Sequence, residues 1–192
     1  MLMLIDLIRK SRSYRSFDSS VEVSREQLLS FVECARLSPS SINLQMLKFR
    51  LVFEENECEK MLANTRWAGK LKDVKLPPEG HAPRAYIVIC ADTSVIETAA
   101  NFQKDVGICA QSIMLAAAEA GLGGCMIGSF SPKVLASDLD LPSHLLPQLV
   151  LALGKPDEAV ELTTAAEDGS VTYYREGEIH FVQKRSLEDL IL

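Results

Sequence analysis

The segment Arg12-Ser13-Tyr14-Arg15-Ser16-Phe17 sets two guanidiniums among hydroxyls in a chain whose formal net charge is −6. A basic fork in an acidic protein points to a specific anion. Guanidinium donors lie in one plane and match phosphate oxygens two at a time, and neighbouring hydroxyls can complete the oxygen shell of a phosphate monoester. A second polar stretch, Ser38-Pro39-Ser40-Ser41-Ile42-Asn43-Leu44-Gln45, reads as a loop, where ligand contacts concentrate. Farther on, Gly128-Ser129 closes an apolar run, and its small side chains leave backbone N–H groups open to a flat ligand.

Other chemistries find little support. The glycines of Gly121-Leu122-Gly123-Gly124 invite a dinucleotide-binding reading, but here a helical pattern precedes them and a strand follows, the reverse of the order that reading needs. They read instead as a helix stop and a tight approach to a strand. There is no P-loop, and no serine sits in a G-x-S-x-G elbow. His81, His144 and His180 stand apart without helical partners of ligand type, so no metal site is expected. Cys34, Cys58, Cys90, Cys109 and Cys125 are odd in number and form no C-x-x-C pair, which indicates reduced thiols and a cytoplasmic protein. Four of the five lie in apolar runs and read as small core residues. The acidic balance disfavours nucleic acid as a partner. The apolar start, Met1 to Ile8, is interrupted by Asp6, is too short to span a membrane and lacks a leading basic region, so it reads as a core helix.

A chain of 192 residues with 47% hydrophobic and 24% charged residues suits one domain over 1–192, or a protomer that completes its core by pairing. Helical spacing of Leu4, Ile5, Leu7 and Ile8 predicts a first helix ending near Lys10, so that the arginines sit at its exit. Ser24 and Gln27 form a capping-box pattern before a second helix, with Leu28, Leu29, Phe31, Val32 and Ala35 on its apolar face and Pro39 ending it. A strand over 49–53, a short helix over 54–64 and an irregular connection over 65–83 follow. The run Ala85-Tyr86-Ile87-Val88-Ile89-Cys90-Ala91 predicts a strand buried on both faces. Residues 102–120 form the longest helix, apolar on most sides and so buried centrally or between subunits. Gly121 ends it, strands are expected over 125–129 and 149–153, and Ser131-Pro132 opens a further helix. Residues 157–169 read as a polar surface connection, and a strand near 179–182 leads into a tail starting at Lys184.

In this order, and together with Asp105 and Gly107 entering the long helix, Met126-Ile127-Gly128-Ser129-Phe130 and Leu153-Gly154-Lys155-Pro156, these segments resemble the FMN-dependent nitroreductase family over nearly the whole chain. The resemblance implies an α+β nitroreductase-like fold: a central, mostly antiparallel sheet flanked by helices, in a homodimer intertwined around long central helices. It implies FMN sites at the subunit interface. Arg12, Ser13 and Arg15 match the positions that hold the FMN phosphate and nearby ribityl oxygens, and Lys184 and Arg185 resemble the C-terminal basic pair that closes on it. Pro39, Ser40, Ser41 and Asn43 match the loop that reaches the partner's isoalloxazine ring, where Asn43 offers a donor and an acceptor to the pyrimidine edge. Gly128 and Ser129 match the positions whose backbone N–H groups approach flavin N5 and O4.

The implied activity is a ping-pong oxidoreductase that passes hydride from NADH or NADPH through flavin N5 to a small acceptor: a nitroaromatic, a quinone or an activated alkene. No side chain is then catalytic, because the redox chemistry belongs to the flavin. Two alternatives share the motifs. One is an FMN-binding protein that stores, senses or delivers the flavin; the other is a flavin-fragmenting or dehalogenating relative, with the 65–83 loop as its lid and Trp67 and Lys70 as contacts. The chain departs from the common pattern at Ser11, where many members carry arginine, so that Lys10 or the C-terminal pair would have to complete the phosphate shell. Met46-Leu47 stands where many have Pro-Trp.

Overall fold

In the computed structural model, which describes residues 3–69, 74–95 and 102–192, the chain alternates helices and strands. In order these are α1 (Leu4–Lys10), β1 (Phe17–Asp18), α2 (Arg25–Arg36), β2 (Leu47–Val52), α3 (Glu55–Asn64), β3 (Ala85–Asp92), α4 (Gln103–Glu119), β4 (Gly123–Ile127), α5 (Pro132–Asp138), β5 (Leu145–Pro156), β6 (Ala159–Thr164), β7 (Tyr174–Glu176) and β8 (Ile179–Lys184). Single 3₁₀ turns occupy Ser41–Asn43 and Glu188–Leu190. Lys70, a possible lid contact, lies outside the described residues.

β5 is the strand around which the main sheet is organised. It pairs antiparallel with β3 along one edge, and with β4 and then β1 along the other, while β2 pairs antiparallel with the outer edge of β3. All eight residues of β3 are buried, as its unbroken apolar run requires. The period of two sorts the side chains between two cores. Ala85, Ile87 and Ile89 join Leu151 and Leu153 against Leu28, Phe31 and Ala35 of α2 and Val106, Ala110, Ile113 and Ala117 of α4. Tyr86, Val88 and Cys90 join Val150 and Ala152 against Met61 of α3 and Leu135 of α5. The sheet is thus covered by α2 and α4 on one face and by α3 and α5 on the other, an α+β arrangement of mostly antiparallel pairing.

Local signals set the helix ends. Ser24 and Gln27 form the reciprocal capping box that opens α2, and Gly121, at φ +74°, takes the left-handed conformation that stops α4. Five expectations need correction. α1 forms where its spacing predicts but none of its residues is buried, and Met3, Leu4 and Ile5 are largely exposed, so it is not a core helix of the single chain. β5 runs for twelve residues, because β1, β3 and β4 all pair with it. The polar stretch 157–169 contains β6, which pairs in parallel with β8, itself paired antiparallel with β7. That small sheet arises from long-range pairing that composition does not signal. The strands expected over 49–53 and 125–129 each begin two residues earlier, at Leu47 and Gly123.

The glycines around β4 serve close packing. A Cβ on Gly124 would lie 2.0 Å from the Ala152 carbonyl oxygen, one on Gly123 would lie 2.6 Å from the Tyr14 ring, and one on Gly154 would lie 2.9 Å from the Phe17 ring. Gly124→Ala should therefore destabilise the protein by about 3 kcal/mol, the upper end for overpacking. A Cβ on Gly128 would meet nothing within 4 Å, so Gly128→Ala should change stability by less than about 0.5 kcal/mol. Urea unfolding of the two variants measures the contrast; equal stabilities would show that β4 can move away from β5 at little cost.

Candidate functional site

Beyond Lys10 the chain leaves α1 in extended conformation and runs beside β4. Ser13 forms a parallel bridge with Gly124, and the Tyr14 N–H donates to the Gly124 carbonyl at 2.9 Å. This pairing sets Ser11, Arg12, Ser13 and Arg15 along one wall of a cleft of about 340 Å³. Tyr173, just ahead of β7, and His180 and Lys184 of β8 line the same cleft. Among the described residues no carboxylate lines this cleft, and the cations Arg12, Arg15 and Lys184 favour an anion there. A second cleft, of about 200 Å³, opens between Gly128-Ser129 and the 66–69 segment, and Arg15 and Met126 line both. Among the described residues the amides of Gly128 and Ser129 find no backbone acceptor.

The two guanidiniums are held differently. Arg12 folds back so that Nη2 donates to the Ile8 carbonyl, and burial lowers its pKa against the opposing effect of Tyr14. The Arg15 Nη1 donates to the Ser13 carbonyl at 3.2 Å and lies 3.4 Å from His180 Nε2, with the guanidinium 5.5 Å from the Tyr173 ring centre. The Nε atoms of both arginines are buried and lack acceptors among the described residues. A buried donor without an acceptor is costly, and an oxyanion reaching these edges would satisfy both. The residues therefore suit a phosphate.

Glu158 ties the small sheet to this wall. Its carboxylate accepts from the Arg15 N–H, from the Ser16 N–H at 3.2 Å and from the Arg175 guanidinium. His180 is buried, and burial first, then the charges of Arg15 and Arg175, lower its pKa against Glu158, which favours neutral imidazole near pH 7. Burial likewise pushes the thiols of Cys58 and Cys90 up to about 11 and about 12, so both stay protonated.

The 38–45 loop lies elsewhere on the same chain. Asp105, buried in the first turn of α4, accepts from Ser40 Oγ at 3.0 Å, Ser41 N–H at 2.9 Å and Ser41 Oγ at 2.5 Å. These bonds pin a segment in which Ile42, Asn43 and Gln45 all have positive φ, a conformation that only Asn adopts with ease among the three. Ser40 and Asp105 line a third, apolar cleft with Leu47 and Phe49. Pro39, Ser41 and Asn43 are exposed and, with Ser40, stand outside the cleft that holds Arg12 and Arg15.

Of the predicted basic pair, Lys184 lines the first cleft while Arg185, exposed beyond β8, does not. Lys10 is also outside it, whereas Ser11 lines it, so Lys184 is the cation that accompanies the fork. Sequence reading missed Glu158, Tyr173, Arg175 and His180. His180 looks isolated in the chain, and only the pairing of β8 with β6 and β7 brings it to Arg15. Trp67 lines the second cleft and donates from its indole to Thr65 Oγ1 at 3.1 Å. Among the described residues no cluster of side chains could hold a metal ion, and no helix is long and apolar enough to cross a membrane.

Asp105 gives a pH-dependent test of the loop. Burial raises its pKa, but the bonds from Ser41 and Ser40 outweigh that and hold it below the usual carboxylate range. A depressed folded-state pKa contributes stability above the unfolded value of about 4, and that contribution is lost as pH falls through the folded value. Asp105→Asn should cost about 1–3 kcal/mol at pH 7, and its difference from wild type in urea unfolding should shrink below about pH 4. A pH-independent difference would show that the ionised form is not what holds the loop.

The family model described as the nitroreductase family matches residues 8–155. An NADPH-flavin oxidoreductase of Vibrio harveyi is 28% identical, over 82% of this chain and 68% of that protein. Two solved structures share the fold. An FMN-dependent nitroreductase from Clostridium difficile aligns with a TM-score of 0.67 at 25% identity, over 86% of this chain and 93% of the other. The NADPH:FMN oxidoreductase of Vibrio harveyi, complexed with NAD+, aligns at 0.66 and 23% identity, over 97% and 80%. The match to the family model stops at residue 155, so Glu158, Tyr173, Arg175, His180 and Lys184 lie beyond it.

Proposed function

The chain belongs to the nitroreductase family, and from that premise we propose that it is an FMN-dependent oxidoreductase that uses NADH or NADPH to reduce a small acceptor such as a nitroaromatic, a quinone or an activated alkene, in two half-reactions at one face. The observation that carries this reading is the cationic cleft, free of carboxylates among the described residues, that meets the Gly128-Ser129 amides at Arg15. Arg12, Ser13, Arg15 and Lys184 hold the phosphate end, and Arg15 also lines the cleft toward Gly128 and Ser129. Gly128 and Ser129 present amide donors where negative charge gathers on reduction. FMN, once bound, supplies the hydride chemistry through N5. The protein positions the reactants and needs no acid, base or nucleophile of its own.

A homodimer belongs to the proposal. Met3, Leu4, Ile5 and Ile8 of α1 and Ile108 of α4 are exposed, an apolar set that a second copy would cover. In that dimer Pro39, Ser40, Ser41 and Asn43 serve the partner's flavin, which accounts for their distance from the cleft of their own chain. Arg185 joins the phosphate end only if the tail after β8 turns inward. The free state of all five cysteines supports a cytoplasmic setting.

The decisive experiment is anaerobic mixing of the FMN-loaded protein with NADH and with NADPH. Rapid bleaching of the flavin absorption by at least one of them is expected; bound flavin that neither bleaches would identify a storage or sensing protein. Separately, Arg12→Ala should weaken FMN binding by about 1.5–3 kcal/mol, the loss of one charge-assisted bond. Unchanged affinity in a fluorescence titration would remove Arg12 from the phosphate end.

A further inference from the structure

The Arg15 guanidinium has few ways to point, and the small sheet determines which one it takes. Glu158 holds the backbone N–H of Arg15, so the base of the side chain is fixed. Tyr173 lies under the guanidinium plane, and its ring packs 5.3 Å from the His180 ring. Nη1 is taken up by the Ser13 carbonyl and His180 Nε2. What remains is the edge formed by Nε and Nη2, which meets no oxygen or nitrogen acceptor among the described residues, the Cys125 thiol beside the guanidinium being at most a weak one. Those two donors are parallel, the pair that grips two oxygens of one anion.

We propose that His180 is a positioning residue for the anionic ligand of this site, its Nε2 accepting from Arg15 Nη1 so that the Nε and Nη2 edge is kept for the ligand. The ligand is identified as FMN only through the function proposed above; the positioning itself rests on contacts within the chain. His180 can do this only as neutral imidazole, because a protonated ring offers donors at both nitrogens and repels the guanidinium. The groups around it oppose protonation. Arg15 approaches from the N-terminal segment and Arg175 from β7, Lys184 follows on β8, and burial raises the pKa of the Cys125 thiol of β4 and so keeps it uncharged. Glu158, ahead of β6, is the one carboxylate of the set and is already engaged by Arg175 and two backbone N–H groups. Burial acts in the same direction. Acid should therefore weaken ligand binding as His180 takes up its proton and Arg15 loses its acceptor.

The test is FMN affinity by flavin fluorescence quenching between about pH 8 and about pH 5, for wild type, His180→Gln and His180→Leu. Glutamine keeps an acceptor near the position of Nε2 but does not titrate. His180→Gln should bind within about threefold of wild type at pH 8 and lose affinity less steeply in acid, while His180→Leu should bind about tenfold more weakly at pH 8. The phosphate monoester itself titrates near pH 6, and the glutamine variant carries that contribution alone. A leucine variant that binds like wild type, or a glutamine variant with the full wild-type pH slope, would overturn the inference. If wild type binds no FMN at any pH, the cofactor reading falls and ¹⁵N NMR of the imidazole decides the positioning claim. Arg15→Met should then raise the pKa of His180, and an unchanged pKa would refute the contact.

Discussion

The site depends on one close approach: β4 can lie against β5 and the 12–15 segment only because Gly123 and Gly124 carry no side chains. β5 is paired on both edges, so it cannot shift to make room. The bridge from Ser13 to Gly124 then fixes where Arg12 and Arg15 stand relative to the end of β4, where Gly128 and Ser129 emerge. Backbone pairing thus sets the distance between the cationic cleft and the free amides. Side-chain contacts adjust only the direction in which the arginines point.

Electrostatics divide the neighbourhood into a part that is satisfied and a part that is available. Glu158 neutralises Arg175 and anchors the backbone of Arg15 and Ser16, behind the cleft wall. Arg12, Arg15 and Lys184 line a space that meets no carboxylate among the described residues. The first arrangement gives rigidity and the second gives affinity for an anion. Glu158, Arg175 and His180 lie beyond residues 8–155, the span that matches the family model.

Much of the fold was legible because its signals are local. The capping box at Ser24 and Gln27, the run from Ala85 to Ala91 and the stop at Gly121 each act within a few residues, and each appears where the sequence places it. The basic fork was equally readable, since Arg12, Ser13 and Arg15 lie within one extended stretch. β6 was not, because Ala159 to Thr164 is short, sits within a polar surrounding stretch and becomes a strand only by pairing with β8. His180 was read as isolated for the same reason. α1 misled in another way: its apolar spacing is real, but nothing among the described residues buries it. The 38–45 loop is held by bonds from Ser40 and Ser41 to Asp105, a partner that its own sequence does not reveal.

A crystal structure of the protein grown with saturating FMN tests the central claim most directly, since the claim is that two clefts joined at Arg15 receive one cofactor. The phosphate should lie among Arg12, Ser13, Arg15 and Lys184, with the ring beside Gly128 and Ser129 of the same chain. FMN seated instead in the apolar cleft at Leu47 and Phe49, or a cationic cleft that stays without phosphate at saturation, would contradict it.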